Sequence, residues 1–476
     1  MSPLQTDLYQ LTMAAAYWQA GKAGQESVFH LFFRRLPFQG GYAIAAGLEP
    51  ALEWLEAFRF ETGDLDYLAT LRTKAGLPLF QEKFLGYLGD LRLQLDIDAV
   101  PEGAAVFAHE PLLRVQGPIL HAQLVETALL NIVNFQTLIA TKAARTCLAA
   151  NGAPVVEFGY RRAQGQDGAL SASRAAAIGG CRGTSNVLAG QRYGIPVLGT
   201  HAHSWVMSFD DEAEAFDRYA EAMPDNSTLL VDTYDTLHGV ERAIATARKL
   251  RGQGHELSGI RLDSGDLAWL SQQARAKLDA AGFPEVKIVA SNDLDENLIE
   301  SLRHQNAKID IWGVGTNLVT GGDQPALGGV YKLAALRRED GTWQPRIKLS
   351  EQTAKSSIPG RLQVRRFLEN GQFVGDAIYD EDHSMDNATT IIDPADPIRQ
   401  KEIPAGTAFI DVLQPVMKQG RRLHAPEPLD LARERCQQNL ASLHPGILRL
   451  KNPHAYPAGL EAGLHAHREQ LLAQYR

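Results

Sequence analysis

The sequence predicts an α/β protein in which a parallel sheet closes into a barrel and both chain ends build a smaller α/β domain. Three observations carry this. From 154 to about 336, short apolar runs alternate with helical spacers: Val155-Val156-Glu157-Phe158, Pro196-Val197-Leu198, Leu229-Leu230-Val231, Gly259-Ile260-Arg261-Leu262, Val286 to Ala290, Ile309-Asp310-Ile311-Trp312 and Gly329 to Leu333. Such alternation specifies parallel strands, and this many units suggests closure. Residues 93–115 instead alternate with period two and read as a small antiparallel unit. At 476 residues the chain is too long for one ordinary core. The expected division is 1–125, an N-terminal α/β domain; 126–340, the barrel; and 341–476, a segment completing the first domain.

In order, a helix is expected from Asp7 through Tyr17, capped by Thr6 or Asp7. Ser27 to Phe33 alternates as an extended run, and the Gly40-Gly41-Tyr42 turn opens a helical segment through Leu55. Residues 62–92 read as two helices with Gly breaks. Residues 119–150 repeat apolar positions at i, i+3 and i+4, a long helix. In the barrel, Ile195-Pro196-Val197-Leu198 reads as a short buried strand. Beyond it come strands at Arg361–Arg366 and Phe409–Val412, then helices over Leu429–Ser442 and from Ala458 to the end.

Hydrophobic residues make up 45% and charged residues 22% of the chain, a soluble globular profile. The formal net charge is −9 with no basic block, which argues against a nucleic-acid partner. No apolar run is long enough to span a bilayer. Cys147, Cys181 and Cys436 are far apart, forming neither a disulfide framework nor a zinc knuckle, so a reducing cytoplasm fits. Met1 to Asp7 shows no basic or apolar leader region, so no secretory signal is expected.

In a barrel of this kind, chemistry sits at the C-terminal strand ends. There Phe158-Gly159-Tyr160-Arg161-Arg162 combines a ring-stacking face with guanidinium groups that can grip an anion. Gly183-Thr184-Ser185-Asn186 brings small residues to a helix start. Gly199-Thr200-His201-Ala202-His203-Ser204 leaves three readings open: a metal pair, two structural histidines, or an acid/base or nucleophilic histidine with Thr200 and Ser204 as hydrogen-bond neighbours. Zinc would need further ligands, and the later ends supply carboxylates but no histidine. Asp232 can orient a histidine or hold Mg2+ through water. Strand alternation points Arg261 and Asp263 to one side. Gly313-Val314-Gly315-Thr316-Asn317 is a Gly-rich loop where barrels commonly hold phosphate.

Taken together with Asp7-Leu8-Tyr9-Gln10-Leu11-Thr12-Met13, Gly183 to Gly190 and Arg261-Leu262-Asp263-Ser264-Gly265-Asp266, this set resembles the nicotinate phosphoribosyltransferase family in order and spacing over nearly the whole chain. Lys348-Leu349-Ser350 with Lys355 and Pro359-Gly360, and Asn452 to Pro457, extend the likeness. Leu229 to Thr236 lacks the adjacent acids and the Thr-Gly-x-Thr loop of a type I phosphoribosyltransferase. The resemblance implies the type II architecture, an irregular α/β barrel plus an α/β domain from N-terminal and C-terminal segments. It implies nicotinate, phosphoribosyl diphosphate and ATP as substrates, Mg2+ as cofactor, ATP coupling that classes the enzyme as a ligase, and a homodimer. The cysteine zinc knuckle of some archaeal relatives is missing, so no structural zinc is expected.

By the same resemblance His203 is the phosphorylated histidine and His201 a bystander. Asp232 and Asp263 are acids around the histidine and the ribose or diphosphate. Tyr9 reaches the partner's active site to stack on the ring, and Phe158 is the opposite face. Arg161, Thr200 and Arg261 contact substrate, and Gly315 with Thr316 cradle the 5-phosphate. Ser185 can donate to a carboxylate where nicotinamide-using relatives place an Asp, which favours nicotinate over nicotinamide. The competing functions are nicotinamide phosphoribosyl transfer, a metal-dependent hydrolase using His201 and His203, and a non-catalytic phosphate-ligand binder.

Overall fold

The computed structural model describes residues 2–349, 357–383, 385 and 389–474. Ser350 and Lys355 of the C-terminal likeness lie outside them. The chain forms two compact units, one of residues 1–138 with 326–476 and the other of residues 139–325. The sequence placed the boundaries at 125/126 and 340/341. They fall elsewhere because the helix Glu126–Ala150 runs through the first, and because the strand Gly329–Arg337 pairs antiparallel with Glu26–Phe33 instead of entering the barrel. Gly329 to Leu333 is thus no barrel strand; an apolar run of that length fits either sheet.

The unit of residues 139–325 holds six parallel strands: β1 (Val155–Glu157), β2 (Gly183–Thr184), β3 (Thr228–Leu230), β4 (Gly259–Leu262), β5 (Lys287–Ala290) and β6 (Ile311–Val314). Their order is β2-β1-β6-β5-β4-β3, every ladder parallel. Leu229, Leu230, Ile260, Leu262, Ile288, Val289, Ala290 and Val314 are buried, as expected of strands covered on both faces. Helices follow most strands, and the turns show how. Asp235, Asp266 and Asp295 each accept the backbone N–H three residues on, at 2.8, 3.0 and 2.7 Å, starting helices Thr236–Gly252, Leu267–Ala280 and Glu296–His304. Asn186 caps Val187–Tyr193 in the same way. In Asp232…Asp235 and Asp263…Asp266, the second acid of each pair caps the helix and leaves the first to the strand end.

The barrel is irregular at one seam. Ile195 to Leu198 is not a buried strand: Val197 makes a single parallel bridge to Thr184, and Val197 and Leu198 are 48% and 42% exposed. Among the described residues no ladder joins this segment to β3. The His201 ring spans that gap, its Nε2 accepting the Leu230 N–H of β3 at 3.2 Å.

The other unit carries two larger sheets. One is antiparallel and runs Trp343–Pro345, Gly329–Arg337, Glu26–Phe33, Leu113–Pro118, Asp96–Ala99, Gln414–Lys418 and Arg421–Arg422. The second is ordered Gln400–Ile403, Thr389–Ile392, Ala458–Glu461, Gln372–Asp380, Leu362–Glu369 and Ala408–Asp411. Both therefore mix N-terminal and C-terminal segments or pack on them. The Leu362 peptide group shows the join. His30 takes its N–H at 3.2 Å, and Arg114 donates to its carbonyl at 3.2 Å. Arg366 is fully buried against Asp376, which also accepts from the Tyr456 hydroxyl at 2.6 Å. Two helical expectations change. Residues 458–461 form a strand before the last helix, Ala462–Ala473, and Ala43–Ile44 pairs with Ala105–Val106 ahead of the helix Leu48–Glu56. Among the described residues, no helix is long and apolar enough to cross a membrane.

Candidate active site

A pocket of about 520 Å3 opens at the C-terminal ends of the barrel strands, lined by Phe158, Arg161, Ser185, Thr200, His201, His203, Arg261 and Asp263 among others. Arg261, on β4, is its hub. The guanidinium donates to Ser291 Oγ at 2.8 Å, Thr200 Oγ1 at 2.9 Å and Asp263 Oδ1 at 2.9 Å. It also lies 5.6 Å from the centre of the Phe158 ring. Three strand ends and one loop are thus held by one side chain.

Asp263 accepts from Arg261 and from the Ser291 hydroxyl. Burial works to raise its carboxyl, but those two partners outweigh it and hold the group below the usual carboxylate range. Asp263 is therefore an anion at neutral pH. Its other oxygen faces His203 Nε2 at 3.8 Å. His203 Nδ1 bonds Thr233 Oγ1 at 3.1 Å. Thr200 and Ser204 had been the expected partners; instead Thr200 serves Arg261 and Thr233 holds the imidazole. The signal for Thr233 was its place directly after Asp232.

The two histidines differ in kind. His201 is 8% exposed, edge-on to Tyr219 with ring centres 4.7 Å apart. Its Nε2 lone pair is taken by the Leu230 N–H, and burial holds its pKa down, so it is neutral. His203 begins the short helix His203–Met207 with its side chain 41% exposed at the pocket. Both line the pocket, but the His201 Nε2 is committed to backbone, so the two do not present a joint metal pair.

Asp232 sits behind this face. Its Oδ2 accepts from Asp263 N at 2.9 Å and Ser264 Oγ at 2.6 Å, while Oδ1 is buried with no hydrogen-bond partner. It fixes the Asp263 turn and bonds no histidine. No group of three His, Cys, Asp or Glu is arranged around a metal among the described residues.

Phe158 owes its position to glycines. A Cβ on Gly313 would lie 2.6 Å from the Phe158 ring, and one on Gly315 would lie 3.3 Å from the Phe158 carbonyl oxygen. Only Gly313 lets that ring lie across β6. Gly315 and Thr316 begin the one-turn helix Thr316–Val319 beside this turn, outside the pocket lining itself. Arg161 is exposed at the rim, with no side-chain hydrogen bond or ion pair among the described residues. Ser185 lines the wall, its N–H bonded to the Glu157 carbonyl at 2.9 Å. Tyr9 belongs to the other unit, on helix Leu8–Gln19, and is 46% exposed. Sequence reasoning passed over Glu157, a fully buried carboxylate beneath the wall, because its run looked like plain strand.

Family models match three consecutive stretches: the nicotinate phosphoribosyltransferase N-terminal domain over 4–134, the nicotinate phosphoribosyltransferase family over 154–362, and its C-terminal domain over 361–468. The chain belongs to the nicotinate phosphoribosyltransferase family. It is 44% identical over 480 residues to nicotinate phosphoribosyltransferase of Bacillus subtilis, covering 99% of this chain and 96% of that one. The crystal structure of human nicotinic acid phosphoribosyltransferase superposes with a TM-score of 0.85 at 33% identity, over 98% of this chain and 99% of that one. A nicotinate-nucleotide pyrophosphorylase from Pyrococcus furiosus, 21% identical, shares the fold with a TM-score of 0.70 over 92% and 95% of the two chains. The irregular α/β barrel with a two-ended α/β domain is the architecture of this family.

Proposed function

We propose that this chain is an ATP-coupled nicotinate phosphoribosyltransferase that makes nicotinate mononucleotide and diphosphate from nicotinate and phosphoribosyl diphosphate, the opening step of NAD salvage from nicotinate. The observation that carries the mechanism is the asymmetry of the histidine pair: both line the pocket, but the His201 Nε2 is taken by the Leu230 N–H, while the more exposed His203 stands between Thr233 and an ionised Asp263.

In the coupling step an imidazole nitrogen of His203 attacks the ATP γ-phosphorus. An N–P bond forms, the P–O bond to ADP breaks, and ADP leaves with the electron pair. Water later cleaves the phosphohistidine. In the glycosyl step positive charge develops on the ribose as diphosphate departs, and nicotinate nitrogen takes its place. Asp263, held as a carboxylate by Arg261 and Ser291, stabilises that charge without proton transfer. Phe158 and Ser185 place the flat, carboxylated ring. Arg161, free at the rim, takes an anionic group. Gly315 and Thr316 are assigned to the 5-phosphate. Arg261 and Thr200 hold the acceptor face together.

Mg2+ fits the donor set. Asp232 Oδ1 is a buried oxygen without a partner, and Asp263 is an adjacent carboxylate. A hard cation bound mostly by substrate phosphates needs only one or two such groups. When bound, it neutralises charge on the diphosphate.

A homodimer is part of the proposal, with half-exposed Tyr9 stacking in the partner's site. Cys147, Cys181 and Cys436 form no disulfide among the described residues, which suits a reducing cytoplasm. The deciding experiment is labelling with ATP carrying ³²P at the γ position. Acid-labile, base-stable label is expected, lost in His203→Ala and kept in His201→Gln. No label under turnover sinks the phosphohistidine. Mixing Tyr9→Ala with His203→Ala protein tests the dimer, since shared sites predict partial recovery of activity.

A further inference from the structure

Beneath the pocket wall lies a carboxylate that the mechanism does not use. Glu157 is the last residue of β1 and is 0% exposed. Burying a carboxylate is costly unless its oxygens are fully engaged, and here they are. Oε1 accepts from the Gly159 N–H. Oε2 accepts from Ser173 Oγ at 2.8 Å and Thr184 Oγ1 at 2.6 Å. A second layer follows. Thr184 Oγ1 accepts from the Asn186 N–H at 3.0 Å, and Ser173 Oγ accepts from Asn186 Nδ2 at 3.1 Å.

This network sits where backbone pairing ends. The ladder between β1 and β2 stops at Glu157 opposite Thr184. The next residue of each chain segment, Phe158 and Ser185, lines the pocket. Past that point the Glu157 side chain takes over from the ladder. It ties the Phe158-Gly159 turn to Thr184, to Ser173 of the helix Gly165–Ile178, and through them to Asn186. Ser185 keeps one backbone bond, its N–H to the Glu157 carbonyl at 2.9 Å, and Phe158 one, its N–H to the Val314 carbonyl at 2.8 Å; beyond these, one carboxylate and two hydroxyls hold the segments that carry the Phe158 ring and the Ser185 hydroxyl.

We propose that Glu157, acting with Thr184, is a positioning residue that fixes the slot between Phe158 and Ser185 and so sets affinity for a flat aromatic carboxylate. The inference rests on the reading that nicotinate binds between those two residues. Glu157 touches no substrate. Its effect falls first on nicotinate, because Phe158 and Ser185 line the pocket while Gly315 and Thr316, assigned to the 5-phosphate, lie outside that lining.

Steady-state kinetics of the full-length enzyme test this with five variants. Thr184→Val keeps the side-chain shape and removes the hydroxyl; Thr184→Ser keeps the hydroxyl. Glu157→Gln keeps the shape and loses the charge. Phe158→Leu and Ser185→Ala probe the slot directly. The expected result is a KM for nicotinate raised roughly ten- to a hundredfold in Thr184→Val and Glu157→Gln, the range for one lost charge-assisted bond. KM for phosphoribosyl diphosphate stays within about twofold, and Thr184→Ser matches the parent enzyme. Should Glu157→Gln fail to fold, the Thr184 pair still decides.

Two outcomes overturn the proposal with the base site intact. In one, nicotinate KM is unchanged in Thr184→Val while Phe158→Leu and Ser185→Ala raise it. In the other, Thr184→Val raises both KM values and lowers kcat together, the mark of general loosening. If Phe158→Leu and Ser185→Ala themselves leave nicotinate KM unchanged, the base is elsewhere and the proposal falls with that reading.

Discussion

Replacing His201 separates architecture from chemistry. His201→Leu strands the Leu230 N–H in a buried seam, a loss of about 1–3 kcal/mol. It also removes the edge-on contact with Tyr219, worth about 0.5–1.5 kcal/mol. Together these destabilise the barrel unit by about 2–4 kcal/mol. At roughly 2–4 °C per kcal/mol for a unit of this size, the melting temperature falls by about 5–15 °C. His201→Gln puts a neutral acceptor where Nε2 stood and recovers most of that. The sign of the pH effect follows from burial. Burial holds the folded-state pKa of His201 below the ordinary histidine value of 6.5, so as pH falls through 6.5 the unfolded chain takes up a proton first. The stability present at neutral pH is lost progressively below it. The stability gap between the parent and His201→Gln therefore narrows as pH drops from 8 to 5, read by differential scanning fluorimetry across buffers. Phosphoryl labelling per folded molecule stays near the parent level. A gap that widens towards acid, or a His201→Gln protein that melts like the parent yet takes no label, would refute the assignment of His201 to the seam.

Ser185→Asp places a second carboxylate beside that of nicotinate. Two charges about 4 Å apart at an effective dielectric near 20 repel by about 4 kcal/mol. Nicotinate KM should rise by at least about a hundredfold, with nicotinamide turnover measured alongside; unchanged nicotinate kinetics would remove Ser185 from the base site. Arg366→Met leaves Asp376 buried with only neutral partners, at about 3–5 kcal/mol, whereas Arg366→Met with Asp376→Leu recovers much of it in chemical denaturation. Equal losses in the single and double variants would show that the pair itself contributes nothing. His30 is pushed down to about 3 by burial and the nearby Arg114 while it accepts the Leu362 N–H. The unfolded chain binds that proton near 6.5, so the unit of residues 1–138 and 326–476 loses stability as pH falls from about 6.5 towards 3. His30→Gln should flatten that slope in acid melts, and an unaltered slope would place the acid sensitivity elsewhere.

Much of this was legible in the sequence, for identifiable reasons. Parallel strands covered on both faces are apolar and end abruptly, so Arg261 and Asp263 stood out as charges inside such runs, and period two put them on one side. The caps Asp235, Asp266 and Asp295 went unread, and Asp7, expected to cap the first helix, makes no side-chain capping bond. The rest of what failed was what local pattern cannot encode. Gly329 to Leu333 has the composition of a barrel strand, and only its pairing with Glu26–Phe33 decides its sheet. Ile195 to Leu198 is as apolar as a core strand but lies at the seam, bridged once. Thr233 and Glu157 were missed because a hydroxyl and a carboxylate announce their partners only when distant strands meet. Asp232 was expected beside a histidine and instead organises the Asp263 turn.

A cylinder laced by backbone everywhere except at one stave opens first at that stave. Here the stitches are side chains: His201 to the Leu230 N–H, Arg261 to Thr200, and His203, two residues further along the same short segment, to Thr233. The histidine proposed as the phosphoryl acceptor thus sits on a segment joined to β3 by side chains, where the other strands are joined by backbone ladders.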